Sequence, residues 1–357
     1  MKRSMTALLR VSLLAGLAAT TALAATTLAA PAARAAGADA ALIAAAKAEG
    51  NLVWYSTLIV NQITRPLALA FEKKYPGIKV QYSRAPSTDV ALKITTEARA
   101  GRIQADVFDG TNTILPLQDA GLVQPYVVDS AKGYPPEFRD PNGLWTTMNV
   151  YYLTVGYNTD LVKGADVPKT FDDLLNPKWA GKMAWTTDPT SAGAPGFIQN
   201  ILALKGQEKG MDYLTKLAAL KPVNVPASQR VVLDKVIAGE FPIGLMIFNH
   251  HVAISAAKGA PVAWARMEPV VGTANLISIV KGAPHPNAAR LFLEYVLSDE
   301  GQREVAKAFY LPANPDVPAI VPDLKPKEGH FQARVVTPEM ERAGRTAWID
   351  LYHKLFR

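Results

Sequence analysis

No cysteine occurs among the 357 residues, so the chain forms no disulfide and offers no thiol nucleophile, Cys-ligated zinc, iron–sulfur cluster or lipid-bearing N-terminal cysteine. Charge is sparse as well. Only 19% of residues are charged while 49% are apolar, which excludes a disordered chain and leaves ample material for a core. After the N-terminal segment, no apolar run is long enough to span a membrane. Basic residues exceed acids by seven, but Lys2, Arg3, Arg10 and Arg34 supply four of that excess within residues 1–35, which hold no acid at all. The remainder is nearly balanced and has no basic, aromatic-interleaved patch, so neither nucleic acid nor an anionic membrane is an expected partner. GxSxG, HExxH, P-loop and GxGxxG patterns are absent beyond residue 35, which removes the commonest catalytic and nucleotide-binding signatures.

What is present begins with a targeting segment. Residues 1–35 carry basic residues, then the run VSLLAGLAATTALAATTLAA, then Ala33, Arg34 and Ala35, the layout of a cleaved Sec signal peptide. Ala22 and Ala24 offer an earlier cleavage position, and a membrane helix is the competing reading, weakened by Thr20, Thr21, Thr26 and Thr27. The chain is therefore expected to be exported to the periplasm. Its length suggests two domains at roughly 100–200 residues each.

Hydrophobic periodicity gives a βαβ rhythm. A helix over 38–49 ends at Gly50; NLVWYST reads as a strand, TRPLALAFEKKYPG as a helix and IKVQYSR as a second strand. VALKITTEARAG is a helix behind Ser87, Thr88 and Asp89, and ADVFDG is a third strand. Crossover helices make these strands parallel, and in such sheets ligands settle beyond the carboxyl ends of the strands. Three of those ends carry hydroxyls or amides: Tyr55, Ser56 and Thr57; Ser87 and Thr88; Asp109, Thr111 and Asn112. Helix capping is the plain alternative for each, but three successive polar strand ends favour a shared site for an oxyanion or a metal–anion pair.

From Trp145 the chain runs through a long strand holding Tyr151 and Tyr152 into a second α/β region. There Asp188, Thr190 and Ser191 form another hydroxyl-rich strand end, helices are expected over about 197–219 and 228–238 with Ser228 at the second one's start, and the strand FPIGLMIFNHH ends in His250 and His251. TANLISIV, an amphipathic helix bearing Ala289, Phe292, Leu293 and Val296, a Pro-rich stretch and one final helix over the last 25 residues complete the pattern. Asp109 with Asp188 also supplies the two carboxylates that a secreted hydrolase would use.

LVWYST, PLALAFEKKYPGIKVQY, ADVFDG with AGLVQPY, VGYNTDLV, FDDLLNPKWAGKMAW, AGEFPIG and VKGAPHPNAARLFLEYVLSDEGQ, in this order and spacing, resemble the extracellular solute-binding proteins of ABC importers, in the branch that includes ferric-ion-binding proteins. The resemblance covers nearly the whole exported chain. It implies an α/β, two-lobed periplasmic binding protein of type II, each lobe a mostly parallel sheet flanked by helices, the lobes joined by crossing hinge strands. It further implies a monomer with no cofactor and no catalysis, which traps a solute between its lobes and docks on a membrane permease. The expected layout is lobe 1 at 36–153, an inserted lobe 2 at 154–270, a return to lobe 1 at 271–315, and a C-terminal helical segment at 316–357 packing on lobe 2.

Ferric members of that branch place two adjacent tyrosines after the AGE-x-x-x-G strand. Here Phe248, Asn249, His250 and His251 stand there, with Asn249 matching and the tyrosines missing. Hard Fe(III) favours phenolate and carboxylate oxygen over imidazole. Tyr151 and Tyr152 are adjacent elsewhere, but neighbours on a strand point to opposite faces, so at most Tyr151 or Tyr152 enters the cleft. The two histidines admit three roles: ligands of a divalent metal, hydrogen-bond donors to an anion, or packing. His285, His330 and His353 lie in segments that the resemblance puts outside the cleft, too few ligands for zinc, so the anion role is preferred. The expected solute is a small anion (phosphonate, phosphorylated sugar, sulfonate or carboxylate), with ferric ion or another metal–anion complex as the alternative.

Overall fold

The computed structural model describes residues 39–357; the expected signal peptide and its cleavage position lie outside them. Asp39 caps α1 (Ala40–Glu49) by accepting from the Leu42 amide at 2.6 Å, and Gly50 ends it at φ 71°. β1 (Asn51–Ser56), α2 (Arg65–Lys74), β2 (Lys79–Arg84), α3 (Ser87–Arg99) and β3 (Val107–Gly110) then follow the expected rhythm, with a π-helical turn over Val60–Thr64 leading into α2. α4 (Ile114–Asp119) and β4 (Val123–Gln124) precede the long strand β5 (Thr146–Asn158).

The second region contains β6 (Met183–Thr186), α5 (Ala194–Lys205), α6 (Gln207–Ala219), β7 (Val223–Val225), α7 (Gln229–Ile237), β8 (Ile243–Phe248) and α8 (Asn249–Ala256). Gly206, at φ 78°, breaks the expected helix over 197–219 into α5 and α6. β9 (Val262–Ala265), β10 (Val270–Val280), α9 (Pro286–Leu297), α10 (Asp299–Lys307), β11 (Leu311–Pro312), α11 (Pro326–Gly329), β12 (Ala333–Val336) and α12 (Pro338–Phe356) complete the chain. The last 25 residues thus open with a strand, because Arg334 and Val335 pair with Val271 and Gly272 of β10 before Thr337 caps the final helix.

The strands form one sheet of order β2-β1-β3-β10-β5-β8-β6-β7. β2, β1 and β3 are mutually parallel, as are β7, β6 and β8, and the two wings meet through antiparallel β10 and β5. Register fixes where the wings end. Gly110, last in β3, lies across from Leu276 and so from Thr147 of β5, while Phe248, last in β8, lies across from Leu153. β3 and β8 run in opposite senses, so both wings direct their carboxyl ends at the middle of β5. Six residues of strand at about 3.3 Å each separate those ends by about 20 Å.

Each wing has its own core. Trp54, Phe71, Phe292 and Tyr295 interlock in the first, where ring centroids lie 5.1–5.6 Å apart. Trp185, Phe197, Tyr352 and Phe356 do so in the second. Full burial of one such side chain stabilises the fold by about 1.5–3 kcal/mol. In α9 the expected stripe Ala289, Phe292, Leu293 and Val296 is buried. The segment 316–357 divides between the two cores: Ala319, Leu324 and Phe331 join the first, and α12 sends Tyr352 and Phe356 into the second.

Candidate functional site

Gly110 organises the first half of the site. It sits at φ 144°, and a Cβ there would stand 2.1 Å from Thr113 Oγ1 and 2.9 Å from both Ser87 Oγ and Thr57 Cγ2. Absence of a side chain is what lets three hydroxyl-bearing residues from three strand ends converge. Behind them, fully buried Asp109 accepts from Trp54 Nε1 at 2.8 Å, from the Thr57 amide at 2.9 Å and from Thr57 Oγ1 at 2.6 Å. Burial pushes its carboxyl pKa up, while these donors, with the Ser56 hydroxyl, oppose the shift. Asp109 therefore shapes the β1–α2 turn and does not face the solute. A hydrolytic pairing with Asp188 loses one carboxylate for the same reason.

Two neighbours are likewise internal. Tyr55 turns to α3, donating to Glu97 Oε1 at 2.6 Å with the Lys93 ammonium 3.8 Å above its ring, because successive β1 side chains alternate faces. Ser56 is fully buried and accepts from the Leu58 amide at 3.1 Å, so it holds the turn. Thr57, Ser87, Thr111 and Asn112 are partly accessible, Thr88 is exposed, and Asn112 Oδ1 is buried without a partner. Arg84, at the end of β2, was not picked out from the sequence. Its Nε lies 3.4 Å from the Thr57 carbonyl, it offsets a small part of the rise that burial imposes on the Tyr310 phenol pKa, and it pairs with no carboxylate among the described residues.

The floor is the middle of β5 and β10. Asn275 Nδ2 donates to Asn149 Oδ1 at 3.1 Å, leaving Asn149 Nδ2, Asn275 Oδ1 and Thr147 Oγ1 buried without partners among the described residues. Beyond Asn149, the Tyr151 ring stacks on His250 at 5.8 Å and 30°, and lies 6.1 Å from Tyr310 and 5.3 Å from Phe248. Tyr152 points the other way, edge-on to Phe331 at 5.6 Å in the first core.

The histidines lie in the first turn of α8, because Asn249 begins a helix where a continued strand was expected. Their rings are 4.3 Å apart. His250 is 5% exposed; burial, and then His251, holds its pKa well below the usual imidazole value. Burial, and then Arg230, lowers His251 to about 4. Both are therefore neutral near pH 7, and each keeps an Nδ1 with no partner among the described residues. They can hydrogen-bond a ligand, while positive charge must come from elsewhere. Asn249 is fully buried and donates to the Leu324 carbonyl at 3.0 Å, so it anchors α8 rather than lining the site.

β6 lies parallel to β8 with Ala184 across from Gly244, which opens the loop after Thr186 on the same edge as Phe248. Asp188 is half-buried there, accepting from the Thr190 amide at 3.0 Å and from Gln229 Nε2 at 3.3 Å. Thr190 Oγ1 accepts from the Ala192 amide at 3.3 Å. Ser191 is 3% exposed, and its amide helps hold down the Glu341 pKa that burial raises. Ser228 is exposed at the start of α7, with no capping bond.

Residues 67–333 match the family of bacterial extracellular solute-binding proteins. This chain belongs to that family. An uncharacterized protein of Haemophilus influenzae is 30% identical to this solute-binding protein over 278 residues, covering 73% of this chain and 77% of that one. A putative 2-aminoethylphosphonate-binding periplasmic protein of Salmonella typhimurium is 24% identical over 290 residues, or 78% and 80% of the two chains. Among solved structures, the iron- and citrate-bound IdiA (FutA) of Trichodesmium superposes with TM-score 0.73 at 21% identity, covering 86% of this chain and all of that one. The periplasmic binding protein AfuA of Actinobacillus pleuropneumoniae, with fructose-6-phosphate bound, gives 0.67 at 25%, covering 86% and 98%. These neighbours make the fold that of the two-lobed periplasmic binding proteins.

Proposed function

We propose that this solute-binding protein closes its two lobes over a small organic anion and hands it to the permease of an ABC importer. The observation that carries the reading is the row of unpartnered polar atoms between the carboxyl ends of the wings, flanked by Arg84, which has no carboxylate partner among the described residues. Arg84, Ser87 and the α3 N-terminus supply charge and donors from one side, while neutral His250 and His251 supply donors from the other. A ligand bonded by both sides makes its full set of contacts only in the closed form, so binding shifts the population toward closure. A relative described as phosphonate-binding and a structural neighbour holding a phosphorylated sugar support the oxyanion class. In this reading the lobes are 36–153 with 271–315, and 154–270, the protein acts as a monomer, and it works in the periplasm.

Ferric capture is the second reading, favoured by the facing phenols of Tyr151 and Tyr310 and by the iron-bound neighbour. Against it, burial raises both phenols, Tyr310 to about 12, which disfavours the phenolate form that Fe(III) needs. The test is a thermal-shift series on ligand-stripped protein with phosphonates, sugar phosphates, sulfonates, carboxylates and ferric citrate. At 100 times Kd the true ligand adds about 2.7 kcal/mol, and several degrees of shift with an organic anion are expected. A shift with ferric citrate alone, accompanied by a phenolate-to-iron absorption band, replaces the organic anion by iron.

A further inference from the structure

α10 ends on an aromatic residue held in a backbone state that suits glycine. The Phe309 amide donates to the Ala306 carbonyl at 2.8 Å and the Tyr310 amide to the Val305 carbonyl at 3.2 Å, the paired bonds that close a helix through a left-handed residue. Phe309 holds φ 62° there and is 47% exposed, so burial of its ring does not account for the choice of residue. Such backbone strain clusters at ligand clamps. Phe309 lines a cavity of about 40 Å³, whose wall includes Ala253, Ile254 and Ala257 on the same face of α8 as His250, and Ile320 from the chain return. Of the side chains around it, only His250 and Tyr310 carry a polar group. Both also belong to the ring cluster around Tyr151, and His250 Nδ1, on a residue 5% exposed, has no partner among the described residues. The cavity thus shares two residues with the anion site and has no carboxylate among its lining residues. A site that bonds an anion at an imidazole and continues into an apolar hollow calls for a ligand with a charged head and a hydrocarbon arm.

We propose that this cavity takes the arm of the solute, which is a short-chain alkyl oxyanion; the inference rests on the organic-anion reading of the cleft. At roughly 10–15 Å³ per water-sized group, the hollow admits an arm of about three carbon atoms. An ammonium group on that arm would lose its water and meet no counter-charge. Isothermal titration of the ligand-stripped protein at neutral pH with methyl-, propyl- and hexylphosphonate, and with 2-aminoethylphosphonate as the cationic isostere of the propyl compound, tests this. Propylphosphonate should bind about tenfold tighter than methylphosphonate, the gain from two buried methylenes. Hexylphosphonate should bind no tighter than propylphosphonate, and 2-aminoethylphosphonate at least tenfold more weakly. Ala253→Leu fills the hollow and should abolish the propyl advantage while methylphosphonate affinity holds; if that variant fails to fold, the exposed Ala257→Leu replaces it. Phe309→Gly relieves the left-handed backbone, so it should melt no lower than the parent and still lose most of the propyl advantage. Equal affinity for the methyl and propyl compounds, a gain that continues to hexyl, a preference for the ammonium compound, or a propyl advantage kept in the variants overturns the proposal and leaves the anion site standing. If no phosphonate binds, methane- and propanesulfonate and then acetate and butyrate take their place; binding of none removes the anion reading and this one with it.

Discussion

At the scale of single residues, the site separates charge from hydrogen bonding. Arg84 is the cation at the strand ends, so Arg84→Ala should weaken anion binding at least tenfold by calorimetry while leaving the unliganded melting temperature nearly unchanged, since the side chain is exposed. Unchanged affinity would remove Arg84 from the site. The histidines behave differently. His250 is buried against Tyr151 and Tyr310, and His250→Ala should cost about 3 kcal/mol through the cavity it leaves. Held neutral in the fold, both rings take up a proton only on unfolding as pH falls below about 6.5. The unfolded chain then binds more protons, so stability falls from pH 6.5 toward 4, the window set by His251. Urea midpoints at pH 7 and 5 should differ less in His251→Gln than in the parent; an equal difference would assign the slope to other groups. From the sequence, Arg84 and Tyr310 did not stand out among the residues near the strand ends. Each is a lone residue with no motif around it, made significant by register and by a chain return that no local pattern encodes.

Elements were legible where periodicity was strong and illegible where pairing was remote. The βαβ rhythm, the long β5 and the stripe on α9 follow from 2.0- and 3.6-residue spacing. β12 did not, because four residues with ordinary strand propensity become a strand only through β10, which lies far away in sequence. The loop after β3 was read as polar, but its decisive residue is the one with no side chain. Gly110→Ala must both hold φ 144° and push Thr113 Oγ1 away, so a loss of more than about 1 kcal/mol in urea unfolding, with loss of anion binding, is expected. Full affinity in that variant would show that Thr57, Ser87 and Thr113 need not converge.

At the scale of the whole molecule, contact between the two wings is not confined to the central strands. Arg342 on α12, whose partners Tyr352 and Phe356 belong to the second core, reaches Asp119 at 2.5 Å and Gln118 at 3.2 Å on α4, whose Ile114 and Leu117 belong to the first wing. Both charged side chains are about half exposed, so the pair is worth under about 1 kcal/mol. Arg342→Ala should therefore change anion affinity by no more than a few-fold at low salt, and the difference should vanish at high ionic strength. A salt-insensitive change would point to packing of α12 itself. That helix has a further consequence. The second core opens with Leu153 and Val155 of β5 in mid-chain and is sealed by the aromatic rings of the last helix. A polypeptide emerging N-terminus first cannot complete that core until its final turn is free. The first core waits as well, because Phe292 and Tyr295 of α9 and then Phe331 follow the whole of the second wing's sheet, so each core closes only on a segment that returns late in the chain.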